Sequence, residues 1–310
     1  MRTREQRLLN AVQRPEAYEE VLVESADAPI TLSVWEGNPG SPCIVFLPGT
    51  MTHPLFYEEL LDGLSRAGFN VVGVHLQGHG KSPRVDRLFV FEDLVQNGLD
   101  AVSYAIERFG DEILVLGSSQ GGLLAMALAG RDERIRAVFA HNVLDPSMPE
   151  SLRVTRFPRW LRSLYRVIPK AMNGAARALP RLPLPLSFYL DDHRVFGAAW
   201  TREQFYSDPL GRISYPLYFL ASLFSANMGF LTSGAIRCPV VVIAATGDTL
   251  FPFDYMRLVY KRIGAPRKEM LVFDLDRHLI FNECVEEVLP PLIGKLREYA
   301  SVDAERKESL

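Results

Sequence analysis

Cysteine is scarce in this chain of 310 residues. Cys43, Cys238 and Cys284 are odd in number and widely spaced, which argues against a disulfide framework or a zinc site and for a reducing compartment. No apolar run approaches the ~20 residues needed to span a bilayer. The opening stretch from Met1 to Arg7 meets only the apolar pair Leu8-Leu9, too little for the core of a secretory signal. Charge of either sign is not in excess either: the net charge is -3, so nothing draws the whole molecule toward nucleic acid. A phosphate-binding glycine loop and a clustered set of metal ligands are both missing, and no cofactor is expected. Together these absences point to a cytoplasmic protein, with attachment at a membrane surface left open.

What is present is a large apolar fraction, 48% of residues, enough for one substantial core. Segments Glu19 to Glu24 and Pro29 to Trp35 read as an antiparallel hairpin at a sheet edge. Short buried strands follow at Cys43 to Leu47, Asn70 to His75, Ile113 to Leu116, Ile135 to Ala140, Val240 to Ala244 and Met270 to Phe273. Helical periodicity runs over Phe56 to Ala67 and Leu88 to Phe109. Strands alternating with helices predict an α/β fold, with a mostly parallel eight-stranded sheet and helices on both faces. From about Pro146 to Gly234 the alternation stops, and prolines break up helix-like pieces. So long a stretch is no structureless loop. It reads as a helical cap, 146–234, inserted into a core made of 16–145 and 235–300. A charged tail, 301–310, is expected to fray.

The chemistry centres on Gly117-Ser118-Ser119-Gln120-Gly121, set between a buried strand and an alanine- and leucine-rich helix. This G-x-S-x-G arrangement puts Ser119 on a sharp strand-to-helix turn with its hydroxyl exposed above the sheet. A serine needs a base to take its proton and an acid to orient that base, and the chain order for this kind of sheet is serine, acid, histidine. Asp248 follows the Val240 strand and His278 follows the last strand, so both lie on loops at the edge that carries Ser119. Asp145, after the Ile135 strand, is the rival acid. Asp274 and Asp276 are expected to shape the histidine loop. His75, His79 and His141 read as structural or merely proximal, and His193 as a surface residue of the cap. Backbone N–H groups of Gln120 and Thr50 are placed to receive a developing oxyanion. Met51 and His53 are further candidates for the pocket wall.

Leu47-Pro48-Gly49-Thr50, Gly78-His79-Gly80-Lys81-Ser82, Gly117 to Gly122, Gly247-Asp248 and His278, in this order, resemble the α/β-hydrolase superfamily. His278-x-x-x-Asn282-Glu283 and the placement of the cap look like its monoacylglycerol lipase and lysophospholipase branch. The resemblance implies a catalytic triad of Ser119, Asp248 and His278, oxyanion donors at Thr50 and Gln120, no cofactor, and hydrolysis of a carboxylic ester. Two positions depart from the family pattern: Pro48 and Ser118 stand where histidines are usual.

The cap suggests the substrate. Arg153, Arg156, Arg159, Arg162, Arg166, Lys170, Arg177 and Arg181 occur with no acid between Ser151 and Leu190, interleaved with Phe157, Trp160, Leu161 and Leu164. Such a pattern suits peripheral contact with anionic lipid, or simply a cap helix with a solvated basic face, and Pro158 argues against one uninterrupted helix. The apolar stretch Tyr215 to Phe224, with Tyr218 and Phe219, would line an acyl tunnel or form cap core. A single-chain acyl ester such as a monoacylglycerol or lysophospholipid is therefore the expected substrate. Acyl transfer by the same triad, and a noncatalytic ligand- or partner-binding relative, are the alternatives.

Overall fold

The computed structural model describes residues 2–301, so the expected charged tail from 302 onward lies outside the described residues. The main sheet begins with the hairpin β1 (Tyr18–Val23) and β2 (Ile30–Trp35), antiparallel in the register Tyr18 to Trp35 and Val23 to Ile30. Then come β3 (Cys43–Leu47), β4 (Asn70–His75), β5 (Ile113–Ser118) and β6 (Ile135–His141). Two three-residue strands in the insertion, β7 (Pro183–Pro185) and β8 (Ser214–Pro216), pair only with each other. The main sheet closes with β9 (Val240–Ala245) and β10 (Lys268–Phe273).

The eight strands of the main sheet lie in the order β1-β2-β4-β3-β5-β6-β9-β10. From β4 to β10 every pairing is parallel, while β2 joins β4 antiparallel. Strands β3, β4, β5 and β9 are buried along their whole length, which is why they read as unbroken apolar runs and not as alternation. β5 sits at the centre, and the turn that follows it faces the carboxyl edge where open α/β sheets bind ligands. The chain leaves β3, β4, β5, β6, β9 and β10 at that same edge.

Helix boundaries are trimmed by local chemistry. The helix expected from Leu88 starts at Phe91, because Asp93 accepts the Val90 N–H (2.8 Å) and caps it there. The piece expected from Phe56 opens as a 3₁₀ turn, Pro54–Tyr57, before the α-helix Glu58–Arg66, as proline at a first turn permits.

Between β6 and β9 no strand joins the main sheet. The basic stretch is not one amphipathic helix but 3₁₀ turns at Pro149–Val154 and Arg159–Leu164, followed by a helix at Ile168–Ala178. Pro158 and Pro169 remove the N–H groups a continuous helix would need. That helix packs against Leu217–Ser225 through Ala176, Leu217 and Ala221, a small core of their own.

Candidate active site

Ser119 stands where β5 ends and the helix Gln120–Ala129 begins, with φ 54° and ψ -114°, a backbone conformation that L-residues avoid unless their surroundings impose it. The surroundings are close backbone packing. A Cβ on Gly117 would lie 2.0 Å from the Gly121 oxygen, and one on Gly121 would lie 2.0 Å from the Leu47 oxygen. Only glycine lets these three segments approach so closely. The Ser119 N–H is in turn tied to the His141 carbonyl at 2.7 Å, which fixes the turn against β6.

Asp248 lies in the turn after β9 and is held at both carboxylate oxygens. Oδ1 accepts the backbone N–H groups of Leu250 (2.7 Å) and Phe251 (2.8 Å), while Oδ2 lies 3.0 Å from His278 Nδ1 and accepts Asn142 Nδ2 at 2.8 Å. Burial alone would raise this carboxyl, but the charge and hydrogen bond of His278 and the Phe251 N–H outweigh it, and Asp248 lies below the ordinary carboxylate range. With Nδ1 engaged by the acid, Nε2 of His278 is the nitrogen left to exchange a proton. The Phe251 ring stacks on the imidazole at 5.3 Å and 9°, so the ring is set in its plane as well as in its tautomer.

Ser119, His278 and Thr50 line one small cavity of about 30 Å³, and Ser119, Thr50 and Gln120 line a second of about 50 Å³ beside it. Among the described residues no protein acceptor takes the N–H of Thr50 or of Gln120, leaving both donors for a ligand. Neighbouring N–H groups on the same loop are already used: Gly49 donates to the Tyr57 hydroxyl (3.2 Å) and Met51 to the Tyr215 hydroxyl (2.9 Å).

A strained serine after a buried strand, a buried acid and histidine pair on the following loops, and two unclaimed amides at one edge of a parallel sheet match a known design. A family model described as serine aminopeptidase, S33, covers residues 39–285. The chain belongs to this α/β-hydrolase family. The AB hydrolase superfamily protein YisY of Bacillus subtilis (strain 168) is 30% identical over 259 residues, covering 84% of this chain and 92% of that protein. In fold the hydrolase is similar to the Paleococcus ferrophilus monoacylglycerol lipase, with a TM-score of 0.68 and 22% identity over 89% of this chain and 100% of that one. It is likewise similar to a soluble variant of the Saccharomyces cerevisiae monoglyceride lipase, with a TM-score of 0.70 and 16% identity over 91% and 95%.

Several sequence-based expectations for this hydrolase need correction. Met51 is buried and lines neither cavity at Ser119; its N–H bonds Tyr215 and its carbonyl accepts the Arg212 N–H at 3.1 Å. His53 is buried too, its Nε2 2.6 Å from Asp208 Oδ2. Both residues anchor the loop after β3 to the insertion instead of touching the pocket. On the helix Leu217–Ser225 the phase differs from the one expected: Tyr218 is exposed and Phe219 packs on Phe89 and Tyr215, while Leu220, Leu223 and Phe224 face the cavity of Ser119. The rival acid Asp145 is occupied elsewhere, bonded to Ser147 and 3.3 Å from Arg262 Nε.

Of the other histidines, His75 bonds Ser33 (2.8 Å), His79 bonds Tyr215 (2.8 Å), and His193 is exposed. His141 stacks near His278 at 5.9 Å, and burial, then the neighbouring His278, lowers its pKa to about 3. It is a neutral ring that accepts Asn142 Nδ2 at Nε2 (2.9 Å).

Asn142 escaped the sequence reading. It sits just past β6 with φ 58°, and its amide bridges Asp248 and His141. Turning that amide over would set its oxygen against the Asp248 carboxylate, so the orientation is decided by charge. The one signal in the sequence was an asparagine at a strand end, a residue that tolerates the left-handed region. Tyr189 was missed as well: it lines the larger of the two Ser119 cavities, and its buried hydroxyl has no partner among the described residues.

Proposed function

We infer that this hydrolase cleaves the carboxylic ester of a single-chain acyl lipid, a monoacylglycerol or lysophospholipid, through an acyl-enzyme on Ser119. Ser119 Oγ attacks the ester carbonyl carbon while His278 Nε2 takes its proton. Asp248 steadies the resulting imidazolium. The N–H groups of Thr50 and Gln120 receive the oxyanion, each worth roughly 10² to 10³ in rate when such donors are removed from comparable sites. Collapse breaks the ester C–O bond, His278 returns the proton to the leaving alcohol, and water then attacks the acyl-enzyme by the same steps in reverse.

The observation that carries this reading is a pair of adjoining apolar cavities, which we take together as an acyl passage. The cavity at Ser119 shares Thr155, Tyr189, Leu220 and Phe224 with a cavity of about 410 Å³ inside the insertion, lined by Leu152, Met172 and other apolar residues. A long hydrocarbon chain gains about 0.8 kcal/mol for each methylene it buries, so such a passage favours acyl chains over small acids. Among the described residues the walls at Ser119 contain no carboxylate, which an N-terminal amine would require, and this favours an ester over an aminopeptidase substrate despite the family's description. The Tyr189 hydroxyl remains for the substrate's polar end. At the outer surface, exposed Trp160, Leu164 and Val167 stand among Arg159, Arg166 and Lys170, a combination that favours peripheral contact with anionic lipid.

A fluorophosphonate probe tests the nucleophile: labelling should occur and vanish in Ser119→Ala, and labelling that survives the substitution would overturn the assignment. Acyl esters from acetate to oleate test the passage, with kcat/KM expected to rise with chain length. A preference for acetate, or faster cleavage of an aminoacyl anilide than of any ester, would refute the lipid reading. Binding to phosphatidylglycerol vesicles should weaken with added salt; salt-independent binding would exclude the basic surface as its cause.

A further inference from the structure

On the far side of Tyr215 from the catalytic serine lies a different kind of cavity, about 240 Å³, between the loop after β4, the segment 84–89 and the paired strands β7 and β8. Four guanidinium groups border it: Arg84, Arg87, Arg181 and Arg212. Two are neutralised, Arg87 by Asp27 and Asp93 and Arg181 by Asp86. Arg84 and Arg212 have no carboxylate partner among the described residues. Both instead converge on one backbone oxygen, the Gly78 carbonyl, with Arg212 Nη1 at 2.7 Å. Two unpaired cations are thus held side by side, and burial, then the proximity of Arg212, draws Arg84 below the usual arginine range.

Gln77 borders the same cavity. It is 1% exposed, and neither its Oε1 nor its Nε2 has a partner among the described residues. A buried amide left unpaired at both atoms is destabilising, and so is holding two like charges side by side. One ligand would answer the two unpaired cations and the unpaired Nε2: a compact anion carrying two negative charges, with several acceptor oxygens for the guanidinium donors and the amide N–H. Guanidinium forks match phosphate oxygens in geometry as well as charge.

We propose that this cavity, with Arg84, Arg212 and Gln77 as its recognising groups, binds a phosphate dianion, free or as the monoester end of a small molecule or lipid. Strand β8 gives the site a route to the catalytic centre. Ser214 and Pro216 border the anion cavity, while Tyr215 between them points the other way and bonds Met51 N–H and His79 on the loops beside the oxyanion donors. Occupancy would stiffen the strand that holds those loops.

The test reads binding, not turnover, so it stands or falls apart from the lipid esterase reading. Inorganic phosphate is titrated into the full chain, with thermal midpoint and phosphorus NMR line width as readouts. The midpoint should rise to saturation, and Arg84→Gln should weaken binding about tenfold, the loss of roughly one charge-assisted contact. Arg212→Gln should do the same if it folds; Arg84→Gln, on an exposed segment, serves if it does not. A second arm compares phosphatidylcholine vesicles with and without phosphatidic acid. Phosphate binding that the substitutions weaken supports a free anion. Failure with phosphate but binding to phosphatidic acid that Arg84→Gln weakens supports a lipid headgroup. Absence of binding in both arms, or binding that neither substitution changes, overturns the proposal.

Discussion

At the scale of single residues, the least visible contributor is Asn142. Its amide is one of the groups that hold Asp248 Oδ2, and it approaches His278 Nδ1 to 3.3 Å, so in the proposed mechanism it acts through the acid and the base. Asn142→Ala should lower kcat about 10- to 100-fold, the equivalent of one hydrogen bond to a charged group, with KM nearly unchanged. Asn142→Asp should cost more, because it sets a second carboxylate against Asp248. Steady-state kinetics on a short acyl ester decide the matter, and a loss confined to KM would show that Asn142 positions substrate instead. The candidates Ser119, Asp248 and His278 stand out in the sequence because each follows a glycine- or turn-flanked apolar run, a signal local to its own segment. Asn142 does not, since its importance comes only from β6 lying beside β9. The mistaken phase of Tyr218 and Phe219 has a similar origin. An almost wholly apolar helix carries no polar face to orient it, and only packing against Phe89 and Tyr215 chose the side.

Among the elements, the short strand β8 couples the insertion to the loops beside Ser119. The Tyr215 hydroxyl takes the Met51 N–H and contacts His79 Nε2 and Gln120 Oε1. Tyr215→Phe leaves the ring in place but strands the buried Met51 N–H, at a cost of about 1 to 3 kcal/mol in stability. It should also reduce kcat, because the loop bearing the Thr50 donor loses its tie. Denaturant unfolding and kinetics on one preparation would show whether both fall; an unchanged kcat in a destabilised protein would confine Tyr215 to a structural role. The helix Leu217–Ser225 gives a separate forecast. Leu220→Trp narrows the shared wall between the two apolar cavities, so oleoyl ester cleavage should drop while acetyl ester cleavage persists. Equal losses on both would argue that the chain lies elsewhere. At the elbow, Gly121→Ala would drive a Cβ to 2.0 Å from the Leu47 oxygen. Backbone cannot yield as a side chain does, and a loss above about 3 kcal/mol is expected, measured as a fall in thermal midpoint.

For the molecule as a whole, the buried histidines His75, His79 and His141 set its behaviour toward acid, with His75 held well below its ordinary value chiefly by burial. Burial first, and then Arg212 beside His79 and His278 beside His141, lower these two from 6.5 to about 3. Between those values the unfolded chain binds protons that the native state does not, so stability rises with pH and is lost on acidification. Each histidine contributes a slope approaching about 1.4 kcal/mol per pH unit below its unfolded pKa. Asp248, lowered in the folded state, adds a loss of the same sign at still lower pH. Urea midpoints at pH 7 and 5 should differ accordingly, and His141→Gln should reduce the slope; a midpoint that climbs on acidification would contradict the burial of neutral rings. The sequence by itself determined the eight strands, the strand-to-helix turn at Ser119 and the order of serine, acid and histidine, because those rest on apolar periodicity and turn residues within short segments. Tertiary structure decided what those segments meet: Asn142 on Asp248, His53 on Asp208, Tyr215 on the loop after β3, and Arg84 and Arg212 on one carbonyl. Those contacts join residues far apart in the chain, and the energy that selects them, burial and the pairing of polar groups, exists only once the sheet and its insertion have come together.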